Sequence, residues 1–427
     1  MSLPKQTEDW ADLKAAYRLL NNEHVTPERM LAVHRQRTLE MCESRSVVLC
    51  VQDTSHLDFT NRRATKGLGH IGTLGGRGII MHSALAVTTS GQLLGVLDQR
   101  FHVRNELHTD ESITQLRSRW RESGFWSESV ERVGHPAPSC RFIVVADRAG
   151  DCFSTLQASL RMDAGFVIRA GRDRRVESYS DTLWSWAQQQ TPRGTRTVAV
   201  GRQAKPWGKV TKITRDAEVS IRFGQVTLDP PYRSKCEPIS VWVVYAREEQ
   251  PPEGEMVEAI DWMLLCSEKV EDLQTAEQML DWYSKRWVIE EWHRVLKEGC
   301  NLESSQLHRA DAIECLATLL GVVAVRLLQL RDLAGQGLDP AGSEADDPAA
   351  LVRSVPRIWI HVLAVHQRLD AKALTPRQFW IAIARRGGYI GRKRDGRPGW
   401  KAIWQGWYDY IQMVEYAEAL NQPPTCG

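Results

Sequence analysis

The 427-residue chain has no C-x-x-C pair, no apolar N-terminal stretch and no uninterrupted apolar run of membrane-spanning length. Each gap removes a class of protein. Its nine cysteines, an odd number scattered from Cys42 to Cys426, suit neither a disulfide framework nor a structural zinc site. They read as thiols of a reducing cytosol. The opening Met-Ser-Leu-Pro-Lys-Gln-Thr-Glu has no signal-peptide character, so a cytoplasmic protein with no membrane partner is expected. Net charge is only +2, and any nucleic-acid footprint must therefore be local. No internal repeat is found.

What the chain does have is length for two or three domains and an ordinary soluble composition, 42% hydrophobic and 25% charged. It also has sixteen tryptophans and four basic clusters. The clusters are Arg62, Arg63 and Lys66; Arg169, Arg172, Arg174 and Arg175; Lys205, Lys209, Lys212 and Arg215; and Arg385, Arg386, Arg392, Lys393, Arg394 and Arg397. Any one of them is an ordinary solvated face. Together with the indoles, they supply the pieces for holding phosphates and stacking on bases.

Along the chain, Trp10, Leu13, Ala16, Tyr17 and Leu20 stand at helical spacing, and Thr26-Pro27-Glu28 starts a second helix. Val47 to Val51 is a continuous apolar run ending in Gln52-Asp53, the pattern of a strand buried on both faces. Ile79–Val87, the turn at 88–91 and Leu93–Leu97 form a hairpin, and a polar helix is expected around Glu111–Arg121. Phe142 to Ala146 repeats the buried-strand pattern and again ends in an acid, Asp147. A helix (Phe153–Leu160) and a strand (Phe166–Arg169) follow. Three strands, helix, strand, helix, strand is the element order of an α/β, RNase H-like fold. Short β-rich runs over about 190–265 read as an inserted β-subdomain. A long helix is expected from Thr275 to Lys297, started by the capping box Thr275-x-x-Gln278 and stopped by Gly299. The remainder reads as helical, apart from a Gly/Pro/Asp/Ala-rich mobile loop at Ala334–Ala350. The expected division is a helical region over 1–43, the RNase H-like domain over 44–300 and a helical region over 301–427.

On a straight α-helix, at about 100° per residue, Tyr283, Arg286, Glu290 and Lys297 fall within an arc of roughly 60°, with His293 beside them. Val288, Ile289, Trp292, Val295 and Leu296 take the opposite side. An ordinary amphipathic helix with an i,i+4 ion pair would look the same. Asp53 and Asp147 weigh against that reading, because neighbouring strand ends bring their side chains close together. Three carboxylates repel unless a cation joins them. Oxygen-only donors select Mg²⁺, with Mn²⁺ able to substitute, over zinc. Two such ions roughly 4 Å apart support in-line displacement at phosphorus.

The spacing Tyr283-x2-Arg286-x3-Glu290-x6-Lys297 resembles the Tyr-Arg-Glu-Lys signature of the IS-four family of DDE transposases, most closely the Tn-five-like branch. The resemblance extends to Gln52-Asp53-Thr54-Ser55-His56-Leu57 and to Ala146-Asp147-Arg148-Ala149-Gly150-Asp151, which departs from the family's run at Ala149 and Gly150. It also covers Trp262–Glu268 and Gly387–Lys393.

This resemblance implies that Asp53, Asp147 and Glu290 are a catalytic, metal-binding triad. It further implies that Tyr283, Arg286 and Lys297 grip phosphates and that Trp262 receives a flipped base. Arg169 and Arg172 touch DNA near the site, and Trp287 buttresses the DNA end or packs in the core. Asp151, His56, Asp58 and Glu291 are read as supporting or solvated groups rather than ligands. Cut-and-paste transposition through a hairpin intermediate is implied, on inverted terminal repeats and target DNA, by a synaptic homodimer at the bacterial nucleoid. The dimer contacts would lie in 301–427. Relatives carry more residues ahead of Trp10–Val25, so the alternative is a shortened, DNA-binding inhibitor of transposition. A structure-selective nuclease would use the triad without Trp262, and a glycosidase would have no use for the Arg and Lys aligned with Glu290.

Overall fold

The computed structural model of the chain describes residues 7, 9–72, 75–104, 122–176, 182–200, 203–204, 210–212, 215–232, 234–252, 259–335, 344–392 and 395–421. The expected helix at Glu111–Arg121, residues 336–343 of the loop expected over Ala334–Ala350, and Lys205, Lys209, Lys393, Arg394 and Cys426 lie outside the described residues; the end of that loop is instead the start of a helix, with Pro348 in its first turn.

Two helices come first, α1 (Trp10–Leu20) and α2 (Pro27–Glu43), the second capped by the Thr26 side chain with Pro27 in its first turn. Trp10 does not join the core; it is 74% exposed. β1 (Val47–Asp58), β2 (Gly69–Ile71), β3 (Gly76–Thr88) and β4 (Leu93–His102) follow. Next come α3 (Gly124–Val133), β5 (Arg141–Ala146), α4 (Phe153–Arg161) and β6 (Gly165–Arg169). β3 pairs antiparallel with β1 and β4, while β1, β5 and β6 run parallel. The strand order β4-β3-β1-β5-β6, with one antiparallel member, is RNase H-like.

The β-rich stretch behaves differently from the expected subdomain. After α5 (Leu183–Gln189) come β7 (Gly194–Val200), β10 (Arg215–Leu228), β11 (Ile239–Arg247) and β12 (Asp261–Cys266). They continue the same sheet in the order β6-β12-β11-β10-β7; β8 (Gln203–Ala204) and β9 (Val210–Lys212) form a separate small pair. The open edge of β6 offered unpaired backbone groups, and β12 satisfies them with Leu264 opposite Arg169.

Side chains alternate across this sheet with period two. Cys50, Val144, Ile168 and Leu265 face a core closed by Trp126 and Val130 of α3, Leu156 of α4 and Trp186 of α5. Val51, Val145, Val167 and Leu264 face the other core. That second core is closed by α6 (Leu273–Ser284), α7 (Trp287–Arg294), α8 (Ala310–Leu333) and three further helices, α10 (Arg357–Gln367), α11 (Pro376–Arg386) and α12 (Trp400–Asn421). A short helix, α9 (Pro348–Ser354), precedes α10. By length and composition α8 could cross a membrane, but 61% of its most apolar window is buried inside the fold, against α2 and β4 among others. It is read as a core helix.

The single long helix expected over Thr275–Lys297 is interrupted. Asp272, not Thr275, caps it, accepting 2.7 Å from the Thr275 amide. Between α6 and α7 the amides of Lys285, Arg286, Val288 and Ile289 bond three residues back, a tightened 3₁₀-type joint. Val295–Gly299 then loosens into a π turn, with the Cys300 amide bonded to Val295 O at 2.7 Å. Packing dictates this path: α6 lies over β6 and β12, whereas α7 lies over β1. Trp292, fully buried, ties α7 to α8 by donating Nε1–H to Gly321 O at 3.0 Å. Truncating it removes both the indole and that bond, so Trp292→Ala should lower unfolding stability by about 3–5 kcal/mol in a denaturant titration. A loss within about 0.5 kcal/mol would show that α7 is not anchored there.

Candidate active site

β1 and β5 are paired in register through Val51 and Val145, so two residues further on Asp53 and Asp147 stand side by side on the face covered by α7. Each carboxylate is steadied by a nearby amide: Thr54 N donates to Asp53 Oδ1 and Ala149 N to Asp147 Oδ1, both at 2.8 Å. Gly150, where the sequence departs from the run it was compared with above, sits where a Cβ would come within 2.5 Å of Ala146 and 2.9 Å of Trp126. The close packing of α3 therefore accounts for the small residue.

Glu290 lies in the first turn of α7, where the helix dipole favours a negative charge. Its Oε1 is 2.5 Å from Arg286 Nη1, and the two side chains are 34% and 13% exposed. Arg286 also places its guanidinium carbon 5.4 Å from the Trp287 ring centroid, and its buried Nε has no hydrogen-bond partner. Burial first, and then the charges of Asp147 and Glu290, push the Asp53 carboxyl up to about 7; the Thr54 amide and Arg286 oppose this. His293 Nδ1 is 3.8 Å from Asp53 Oδ2. Burial and Lys297 drive the His293 pKa down to about 3, so the contact is that of a neutral imidazole. Among the described residues no three His, Cys, Asp or Glu side chains are gathered closely enough to hold a metal ion. In chemistry, the set still fits a hard divalent cation: oxygen donors only, with mutual repulsion that a cation would relieve.

Lys297, on the π turn, donates Nζ–H to the carbonyl of His56 in β1 and lies 3.7 Å from Glu303 Oε1. Glu303 in turn accepts from the Asp58 amide at 2.9 Å. A second group stands on the same face of the sheet. Trp262, at the start of β12, meets the Tyr283 ring edge-on at 5.5 Å, and Arg169 donates to Asp261 O at 2.8 Å. Tyr283, expected to face DNA with Glu290, is only 4% exposed, because α6 rests on the sheet. Trp287, weighed between core and surface, is 44% exposed and also lines a cavity of about 990 Å³ with Lys285, Arg326, Trp359 and Trp407.

Arg172 is exposed on a loop whose Arg172 and Gly171 amides donate to Asp151 at 3.0 and 2.8 Å. That loop packs onto the residue after Asp147, since a Cβ on Gly171 would lie 2.7 Å from Arg148 O. Asp151, fully buried, pairs with Arg174, and Glu291 with Arg294 and Arg331 while accepting from Trp400 Nε1. Both are structural braces. His82 was not singled out in the sequence; buried beside Thr54 at 2.8 Å, it has a pKa lowered to about 3 by burial. A histidine inside an otherwise apolar strand was the available signal.

An RNase H-like sheet that carries carboxylates on two adjacent parallel strands, Asp53 within β1 where its pairing with β5 stops and Asp147 just past the end of β5, with a third acid on the covering helix, suits chemistry on nucleic-acid phosphodiesters. Residues 130–326 match the family described as Transposase DDE domain, and residues 1–25 match Transposase DNA-binding. Residues 130–326 thus carry a transposase DDE domain, which indicates a DNA-cleaving and strand-transferring enzyme and implies dependence on divalent metal. The DDE match includes Asp147 and Glu290, whereas Asp53 precedes it.

The raised Asp53 carboxyl has a stability consequence. Its proton is held more tightly folded than unfolded, so its stabilising contribution is full below about pH 4 and is lost as pH rises through about 7. In chelator-treated protein, wild type should lose a few kcal/mol relative to Asp53→Asn between about pH 4 and pH 8, at about 1.4 kcal/mol per pKa unit. Thermal unfolding at both pH values measures this. Parallel wild-type and mutant profiles would mean that Asp53 titrates normally.

Proposed function

We propose that the protein is a cut-and-paste transposase of the IS-four, Tn-five-like kind, with Asp53, Asp147 and Glu290 as its catalytic and metal-binding residues. The observation that carries this reading is the register of β1 and β5, which sets Asp53 beside Asp147 on the face where α7 presents Glu290. Mg²⁺, or Mn²⁺ in its place, would activate the attacking oxygen and stabilise the leaving one. The protein's own residues bind and orient the DNA. Arg286 and Lys297 take phosphates at the cleaved end, Arg169 and Arg172 hold the strand beside β6, and Trp262 stacks on a base turned out of the duplex. Tyr283 supports that indole from beneath, with its hydroxyl the group left to reach a phosphate. Trp287, half exposed, flanks the DNA end.

In this reading the ends of the element are nicked and each freed 3′-hydroxyl attacks the opposite strand to give a hairpin. Hydrolysis opens the hairpin, and the 3′-hydroxyls then attack target DNA. A homodimer pairs the two inverted repeats, with α1 in the end-recognition region and residues 301–427 supplying dimer contacts. The exposed Trp10 within the DNA-binding match supports the first of these assignments.

Cleavage of the inverted repeats flanking the coding sequence, with Mg²⁺, tests the proposal. Glu290→Ala should reduce cleavage by on the order of 10³-fold or more. Trp262→Ala should nick normally yet form hairpins roughly 10–100-fold more slowly, the worth of one base stack. Hairpins formed equally well without Trp262 would remove its assigned role. Specific binding without cleavage by wild type would favour the inhibitor.

A further inference from the structure

We propose that the Arg286–Glu290 ion pair is a latch: it keeps Glu290 away from Asp53 and Asp147 until a DNA phosphate takes over the guanidinium, so that DNA and divalent cation bind cooperatively. The inference rests on the reading of the three acids as metal ligands, and adds to it an order of assembly.

Three features of the structure support it. Glu290 Oε1 lies 2.5 Å from Arg286 Nη1, and among the described residues no three ligating side chains are gathered closely enough for a metal. Glu290 and Arg286 both act on Asp53 by their charge, yet the Glu290 oxygen bonded to Arg286 is engaged and cannot at the same time coordinate a cation shared with Asp53. Second, Arg286 is under-used where it stands. Its Nε is buried without a hydrogen-bond partner, so the fork that would grip a phosphate bidentately is only partly occupied. Third, the joint between α6 and α7 places Arg286 just ahead of the helix whose first turn carries Glu290, with Trp287 flanking the guanidinium at 5.4 Å. A phosphate offers the guanidinium more acceptor oxygens than the carboxylate does, and so can displace it.

The coupling is reciprocal. If DNA frees Glu290 for the cation, the cation holds Glu290 off Arg286 and strengthens the grip on DNA by the same factor. The free protein is then poorly loaded with metal, which confines hydrolytic competence to the DNA-bound state.

Calorimetric titration of Mn²⁺ into the full-length protein tests this, with and without a saturating, pre-cleaved duplex of the terminal repeat that flanks the coding sequence. In wild type, DNA should tighten Mn²⁺ binding by roughly 5–150-fold, the usual range of coupling between sites. Arg286→Gln should bind Mn²⁺ without DNA nearly as tightly as the wild-type complex does, and saturating DNA should add little. Equal Mn²⁺ affinity in free and DNA-bound wild type overturns the latch, as does an Arg286→Gln protein that binds Mn²⁺ no more tightly than free wild type. The wild-type comparison stands even where the variant fails to fold. Asp53→Asn separates the two levels: Mn²⁺ binding that it abolishes, but that DNA leaves unchanged, sinks the latch alone. If neither protein shows Mn²⁺ binding sensitive to Asp53→Asn in any state, the metal-binding assignment falls with it.

Discussion

Two parallel strands pair in register up to the point where β5 ends and β1 runs on, and in this chain that pairing governs the rest. Val51 opposite Val145 fixes where Asp53 and Asp147 come out and toward which face they point. A one-residue slip of either strand would send its acid into the opposite core. The register is held because both strands are buried on both faces: Leu49 and Ile143 anchor one core, Cys50 and Val144 the other. Two negative charges set this close, one of them well buried, constitute a local electrostatic defect. The Arg286 guanidinium, which draws the Asp53 carboxyl back down, offsets part of it.

Other charged residues near the site serve to hold the scaffold. Asp151 is buried with Arg174 and gathers the amides of the loop bearing Arg172. Glu291, next in sequence to Glu290, points the other way, to Arg331 and Trp400, fastening α7 to α8 and α12. Adjacent acids on one helix thus divide the work, one to Arg286 and one into the frame, as the 100° step between successive residues dictates.

The strands were readable from the chain because continuous apolar runs ending in an acid are a local signal, and hydrogen bonding along the sheet enforces it. The first two helices and the β3–β4 hairpin were readable from other local signals: helical spacing and the Thr26-Pro27 start in the helices, a turn between two apolar runs in the hairpin. Less was legible where long-range contacts decide. The strands after 190 announced themselves individually, yet nothing local says that β12 will add to the edge of β6 and make one sheet of what reads as an insertion. The run over Thr275–Lys297 has a helical pattern throughout. Its break at Lys285–Arg286 arises because one half must cover β6 and β12 while the other crosses to β1. That detour buries Tyr283 against Trp262 while leaving Glu290 a third exposed, which a straight helix would not do. The pairing of Arg286 with Glu290 was legible as spacing; the burial of the Arg286 Nε without a partner required the geometry.

The π turn at Val295–Gly299 carries one residue more than α-helical spacing would accommodate. Deleting a residue there would restore regular backbone bonding, so the helix itself would accept the loss. The site would not, because Lys297 would swing by about 100° from its contact with the His56 carbonyl of β1. The six residues between Glu290 and Lys297 therefore set the angle between the two side chains, which a substitution leaves alone and a change of length does not.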